Sequence, residues 1–307
     1  MDIVEAINLT KIYDGSIKAV EDLSFNLREG EILGLLGPNG AGKTTTIGML
    51  TTIIKPTSGT AYICGYNVQT DKDRVRKHII LVPQEPAMDL FLSVYDNLYF
   101  YAWLQGVPKT LRRTLILNVL NELELLDKIN SQVISLSTGL QRKVQLARVF
   151  LVKRDVILLD EPTLGLDPIS KMKAWNLIKR LVEDNEASMI VATNDMREAE
   201  VLCDRVIMLK TKPIIVSDVE ELKRMRGLTV IKLSLKNKER SDFSFLMDIE
   251  GVLKTEYKDG VLDVTVNDPS LVHQIVSQLI DRKFTLLKVQ TVEPSIEDVF
   301  LLMFGVR

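Results

Sequence analysis

The residues from Gly37 to Thr45 read GPNGAGKTT and satisfy the spacing G-x-x-x-x-G-K-T, with Gly37, Gly42, Lys43 and Thr44 at the defining positions and Pro38, Asn39, Gly40 and Ala41 between. Glycines at this spacing let the backbone curl so that successive N–H groups and a helix N-terminus face an anion. Lys43 adds a point charge, and the Thr44 hydroxyl, with Thr45 behind it, is placed for a divalent cation. That is chemistry for gripping a polyphosphate. A second group, Asp160-Glu161 at the end of VILLDE, offers one carboxylate for a Mg2+ shell and one to orient and deprotonate an attacking water. A third, SLSTGLQRKVQLARVF (135–150), has Ser137 as a helix N-cap and Gly139 where a backbone can approach closely, with the positive end of the helix turned to an anion.

Such groups need elements that converge. Short apolar runs alternate with longer segments of helical period: EILGLLG (31–37), HIILVPQ (78–84), DVILLDE (155–161) and SMIVAT (188–193). Continuous apolarity, rather than alternation, fits strands buried on both faces of a largely parallel sheet, and so an α/β layer fold. In such sheets ligands lie at the carboxyl ends of the strands, where this chain puts the glycine loop, Gln84, Asp160-Glu161 and Asn194-Asp195. From 85 the pattern turns helical, which predicts a helical insert over about 85–150. After about 216 the composition shifts. A linker over 217–226 is expected, then a small α+β domain over 227–307 with βαββαβ order: strand LTVIKLSL, helix DFSFLMDI, strands VLKTEY and VLDVTV joined at Lys258-Asp259-Gly260, helix PSLVHQIVSQLIDRK and strand TLLKVQT. That order suggests a ferredoxin-like sandwich, closed by a last helix, SIEDVFLLMFG.

Composition bounds the partners. Lys+Arg 39 against Asp+Glu 41 leaves a net charge of −2, so no global field recruits nucleic acid or an anionic membrane, and no nucleic-acid partner is expected. The basic clusters LRRT (111–114) and KRMRG (223–227) read as solvated helix faces. Cys64 and Cys203 are too few and too far apart in sequence for a disulfide framework or a thiol-rich metal site, which points to a reducing cytoplasm. No apolar run is long enough to span a bilayer, and MDIVEAINLT lacks the character of a signal peptide.

The order of the phosphate loop, Gln84, LSTGLQ and then LLDEPTLGLDP resembles the nucleotide-binding subunit of an ABC transporter over roughly residues 1–216. The fold class is then an α/β P-loop ABC ATPase cassette with a helical insert, plus the ferredoxin-like domain. The resemblance implies ATP and Mg2+ as cofactors. It implies Tyr13 as the aromatic stacking on adenine, Gln84 as a sensor of Mg2+ and water beside Thr44 and Asp160, and Asp167 in GLDP as an acid communicating across a dimer interface. It also implies that Ser137, Thr138, Gly139 and Leu140 of one chain close on the ATP held by another, in a homodimer or a heterodimer with a second cassette. The tail ending in EPSIEDVFLLMFG resembles the accessory domain of ATPases serving ABC-2-type exporters, which implies a membrane permease partner, a peripheral position on the cytoplasmic face of the membrane, and export of a drug-like, lipid or ion substrate.

One position departs from the family pattern: Asn194 stands where a histidine contacting the γ-phosphate is usual, and the only histidines are His78 and His273. An amide still donates a hydrogen bond but cannot become cationic or carry a proton near neutral pH. Two readings follow: a working but slow ATPase using Glu161, Lys43, Gln84 and Asn194, or a catalytically weak regulatory cassette. Thr138 in place of a glycine is a smaller departure of the same kind. A soluble non-transport ABC ATPase is a further alternative, against which stand the single cassette and the absence of sustained heptads.

Overall fold

Two strands lie where the sequence has no continuous apolar run: β1 (Asp2–Tyr13) and β2 (Ile17–Arg28), an antiparallel pair. Their signal is alternation, with Leu23, Phe25 and Leu27 buried while Ser24 is exposed. The fold is taken from a computed structural model, which describes residues 1–85, 87–185, 187–224, 228–236 and 242–304. The chain divides into two compact units, Met1–Val216 and Ser217–Arg307.

In the first unit β3 (Ile32–Leu36) is buried at every residue and runs through the glycine loop into α1 (Lys43–Leu50). Then come β4 (Ser58–Ile63), β5 (Tyr66–Asn67), α2 (Lys72–His78) and β6 (Ile79–Val82). The insert holds α3 (Val94–Leu104), α4 (Lys109–Glu122) and α5 (Thr138–Ala147). The unit continues through β7 (Val156–Asp160), α6 (Pro168–Asn185), β8 (Ser188–Thr193), α7 (Met196–Leu202), β9 (Arg205–Lys210) and β10 (Lys212–Asp218). Two sheets result, of order β2-β1-β4-β5 and β10-β9-β3-β8-β7-β6. Within the second, β9, β3, β8, β7 and β6 pair in parallel. Leu9, Leu23 and Leu27 of the antiparallel sheet share one core with Leu33, Leu35, Leu158 and Ile190 of the parallel sheet. Burying such a leucine is worth about 2 kcal/mol, so the sheets hold each other through apolar area and fix the strand ends by doing so.

The second unit opens with α8 (Val219–Arg224). This corrects the linker expected over 217–226 at residues 219–224: Val219 and Leu222 lie on one face and are both buried, so these residues pack as a helix instead of spanning solvent. Residues 225–227, with the end of the basic KRMRG stretch, lie outside the described residues. The strands β11 (Thr229–Leu235), β12 (Val252–Lys258), β13 (Val261–Val266) and β14 (Leu286–Val292) form one antiparallel sheet of order β12-β13-β11-β14, covered by α9 (Val272–Asp281). Asp259 at φ 50° and Gly260 at φ 85° make the two-residue turn between β12 and β13, the geometry that matches strand twist. The helix expected at DFSFLMDI is instead a five-residue 3-10 turn, Ser244–Asp248. Leu246 is buried within it and the flanking Phe243 and Ile249 are buried on either side, a spacing of three that suits 3-10 geometry. The chain's last described element is α10 (Ile296–Phe304); the glycine expected to end it lies outside the described residues.

Candidate functional site

The glycine loop is shaped by what surrounds it. A Cβ on Gly42 would fall 2.3 Å from the Ala19 carbonyl oxygen, and Gly42 itself sits at φ 100°, so both space and conformation require glycine. A Cβ on Gly37 would meet the Leu209 carbonyl oxygen at 2.4 Å. The Ala41 N–H donates to the Pro38 carbonyl at 3.1 Å, and the Ala41 carbonyl accepts from Thr211 N–H at 3.1 Å, which ties the loop to the β9–β10 turn. Asn39 and Gly40 face solvent, Thr44 is exposed and Thr45 half-buried.

Lys43 is buried, and its Nζ donates to the Gly37 carbonyl at 2.8 Å and the Pro38 carbonyl at 3.2 Å. Its ammonium also lies 3.6 Å from Glu161 Oε1. Glu161 follows β7 in the left-handed region at φ 49°, a conformation held by its N–H on the Ala192 carbonyl at 2.8 Å. Its Oε2 accepts from the Thr193 hydroxyl at 3.4 Å and the Asn194 N–H at 3.3 Å. Burial pushes the Glu161 carboxyl above its ordinary value, and Lys43 and the Asn194 N–H act against that shift. Asp160 is also raised by burial, opposed first by a hydrogen bond from the Thr44 side chain and then by the charges of Lys43 and Arg142. Its Oδ1 is buried with no hydrogen-bond partner. An orphaned carboxylate oxygen beside a threonine hydroxyl fits a divalent cation, because a buried acceptor without a partner is otherwise costly.

The Asn194 side chain reaches the glycine loop: its Nδ2 donates to Asn39 Oδ1 at 3.2 Å. Two strand ends thus meet across the parallel register that sets Leu36 beside Thr193. Gln84 is exposed, and only its backbone carbonyl is held, by Arg142 Nη1 at 3.2 Å. Tyr13, at the end of β1, is about one-third exposed (37%), with Lys11 Nζ 5.0 Å from its ring centroid. It pairs with Ile17, near Ala19 whose carbonyl walls Gly42, so its hairpin borders the loop.

Other expected residues lie elsewhere in this chain. Ser137 Oγ accepts from the Leu140 N–H at 3.4 Å and caps α5, and a Cβ on Gly139 would stand 3.1 Å from the Gly165 carbonyl oxygen. Thr138 Oγ1 lies on the other side of the same contact, 3.8 Å from a Cβ built on Gly165. Asp167 caps α6, accepting from Ile169 N–H and Ser170 N–H at 3.1 Å each. The segment 137–140 and Asp167 are therefore packed beside one another near Gly165, each with its local hydrogen bonds made within its own helix start.

Arg142 escaped the sequence reading, because an arginine followed by a lysine in an amphipathic helix reads as a solvated face. It is 5% exposed, and its guanidinium donates to the carbonyls of Pro83 (2.7 Å), Gln84 (3.2 Å), Asp160 (2.5 Å), Glu161 (2.6 Å) and Pro162 (2.9 Å). Burial lowers its pKa to about 10, against the pull of Asp160, Glu198 and Glu161, so it stays charged near neutral pH. One side chain on α5 thereby joins the end of β6 to the end of β7. Glu198, buried on α7, accepts from Thr163 Oγ1 at 2.6 Å and Trp175 Nε1 at 3.0 Å and ties α7 and α6 to the same loop.

A family model described as ABC transporter matches residues 20–164, and one described as ATP-binding protein DrrA1-3-like, C-terminal domain, matches 218–303. The chain is 32% identical to the doxorubicin resistance ATP-binding protein DrrA of Mycobacterium tuberculosis (strain CDC 1551 / Oshkosh), over 94% of this chain and 89% of that protein. It is 31% identical to the daunorubicin/doxorubicin resistance ATP-binding protein DrrA of Streptomyces peucetius, over 98% of this chain and 92% of that one. Among solved structures, a dimeric ATP-binding cassette in a post-hydrolysis state with ADP and Pi is 28% identical at a TM-score of 0.64, covering 70% of this chain and 98% of its own.

Proposed function

The chain belongs to the family of ABC transporter ATP-binding proteins, and from that premise we propose that it hydrolyses ATP as the motor subunit of an exporter whose permease is a separate chain. The observation that carries this reading is the convergence of Lys43, Glu161, Thr44 and Asp160 at the carboxyl end of the parallel sheet, with one carboxylate oxygen left unpaired. Loop N–H groups and Lys43 bind the triphosphate; to do so Lys43 exchanges the Gly37 and Pro38 carbonyls for phosphate oxygens. Thr44 and Asp160, with Gln84, would hold Mg2+, which when bound offsets charge on the terminal phosphates. Glu161, steered by Thr193 and the Asn194 N–H, takes the proton of the attacking water as its oxygen bonds to the γ-phosphorus and the bond to the β-phosphate oxygen breaks. Asn194 Nδ2, now on Asn39, would then donate to the γ-phosphoryl oxygens. Tyr13 stacks on adenine. Ser137, Thr138, Gly139 and Leu140 serve the ATP of a partner cassette, with Asp167 beside that interface, since in their own chain they face Gly165.

A drug-like cargo is supported by the relatives' printed roles in doxorubicin and daunorubicin resistance; a permease of ABC-2 type, and a lipid or ion as the alternative cargo, rest on the resemblance of the C-terminal tail alone. Among the described residues no helix is long and apolar enough to cross a membrane. The insert exposes Phe91 (70%) and the adjacent pair Phe100 (51%) and Trp103 (54%), apolar side chains of the kind that a membrane-bound partner would cover on the cytoplasmic face. The test of hydrolysis is phosphate release from Mg-ATP by the purified chain. We expect release well above that of Glu161→Gln, and release no higher than that variant would leave the weak regulatory cassette, which Asn194 favours, as the better reading.

A further inference from the structure

The amino ends of the same parallel strands carry a second cluster of chemically distinctive groups. Because β6 and β7 pair from Ile79 against Val156, the residues before them, His78 and Asp155, stand side by side, with His78 Nδ1 2.7 Å from Asp155 Oδ2. Cys64, in the turn after β4, completes the group: its sulfur, a ring nitrogen of His78 and a carboxylate oxygen of Asp155 all lie within 4.8 Å of one another. The chain has 2 cysteines and 2 histidines in 307 residues, and one of each meets an acid here. The Cys64 N–H donates to the Ile3 carbonyl at 2.8 Å, which anchors the thiol, and Tyr66 stacks on His78 at 5.3 Å between centroids, which fixes the plane of the imidazole. Asp155 precedes β7 and Asp160 ends it, so roughly 16 Å of strand separates this cluster from the phosphate site.

We propose that Cys64, His78 and Asp155 form a site for a divalent transition-metal cation of zinc type, with a fourth position open to solvent. The donor set selects the ion. Mg2+ and Ca2+ take oxygen, whereas a thiolate, an imidazole and a carboxylate together suit Zn2+ and its neighbours. With bonds of about 2.0–2.3 Å, a tetrahedral ion spaces its ligand atoms roughly 3.5 Å apart, so the three groups need shifts of only about 1 Å to close on one. Cys64 and His78 are half-buried and Asp155 is exposed, and Asp155 with Glu29 and Gly30 lines a cavity of about 680 Å3 through which an ion can enter. Burial, then Asp155 and Glu29, pushes the Cys64 thiol up to about 11, so binding expels a proton. Three acids, Glu29, Asp155 and Glu183, line that cavity against two cations, Lys153 and Arg154, so its charge balance favours the entry of a cation.

The test is titration of the full, metal-stripped chain with Co2+, followed by displacement with Zn2+. We expect one equivalent bound with a thiolate-to-cobalt charge-transfer band. The band should be absent in Cys64→Ser and retained in Cys203→Ser, with affinity at least about tenfold weaker in His78→Ala. Unchanged Mg-ATP binding by each variant confirms that it is folded. No charge-transfer band in the parent chain, a band that survives Cys64→Ser, or unweakened binding in His78→Ala overturns the site and leaves a His78–Asp155 hydrogen bond with a bystander thiol.

Discussion

Glu161 is held between opposing influences: burial disfavours its charge, while Lys43 and the Asn194 N–H favour it. Because burial prevails, its proton is lost above the ordinary glutamate value. A general base works only when deprotonated, so phosphate release should fall as pH drops through that raised pKa, with an acid limb lying above the usual glutamate range. An acid limb at or below the ordinary value would remove Glu161 from the role of base. Asn194 has no titration of its own. Asn194→His should raise turnover by on the order of tenfold and add a second ionisation near pH ~6.5. An unchanged or lower rate would mean that the contact between Asn194 and Asn39 is the arrangement this pocket is built around.

At the scale of elements, α5 is more than a capped helix. The Arg142 guanidinium satisfies carbonyls at the ends of both β6 and β7, and no shorter or straight-chain cation can reach all of them. Arg142→Lys should destabilise the first unit by on the order of 3 kcal/mol, read as a lower urea midpoint, since each buried carbonyl left without a donor costs about 1–3 kcal/mol. A change under 1 kcal/mol, about the scatter of ordinary surface substitutions, would place water in that role. The strands that lead to the site were legible because a strand buried on both faces has to be apolar between its ends, as residues 156–159 and 189–192 are. The first pair of strands, buried on one face, gives only alternation broken by irregular register, which continuous apolarity does not reveal. The turn at Phe243, Leu246 and Ile249 reads as helical by composition, and its spacing of three fits an α-helix as well as the 3-10 turn that forms, so the spacing alone does not separate them.

At the scale of the whole molecule, the phosphate loop and the segment 137–140 belong to one chain but are proposed to act on one nucleotide from two. Glu161→Gln, loaded with ATP, should therefore run as a dimer in size-exclusion chromatography. Lys43→Ala and Ser137→Arg, each inactive alone, should recover phosphate release when mixed, because a mixed dimer contains one site with neither lesion. Absence of recovery would mean that each chain completes its own site. The apolar surface at Phe91, Phe100 and Trp103 belongs to the same scale, since it is unexplained within one chain and intelligible if another protein covers it.

What the sequence determined alone is the chemistry carried by contiguous residues: a loop that must be glycine at Gly37 and Gly42, paired acids at a strand end, and a capped helix. These are legible because each motif is contiguous in the chain, although the carbonyls that exclude a side chain at Gly37 and Gly42 come from the distant Leu209 and Ala19. Tertiary structure decided which distant groups meet. The separation of 77 residues between His78 and Asp155 collapses to 2.7 Å only because two strands pair in parallel and in that register. Arg142 reaches five carbonyls only because its helix lies across two strand ends. Periodicity along a chain records which faces are buried; the partner across the sheet is chosen by packing and register, which no local window contains.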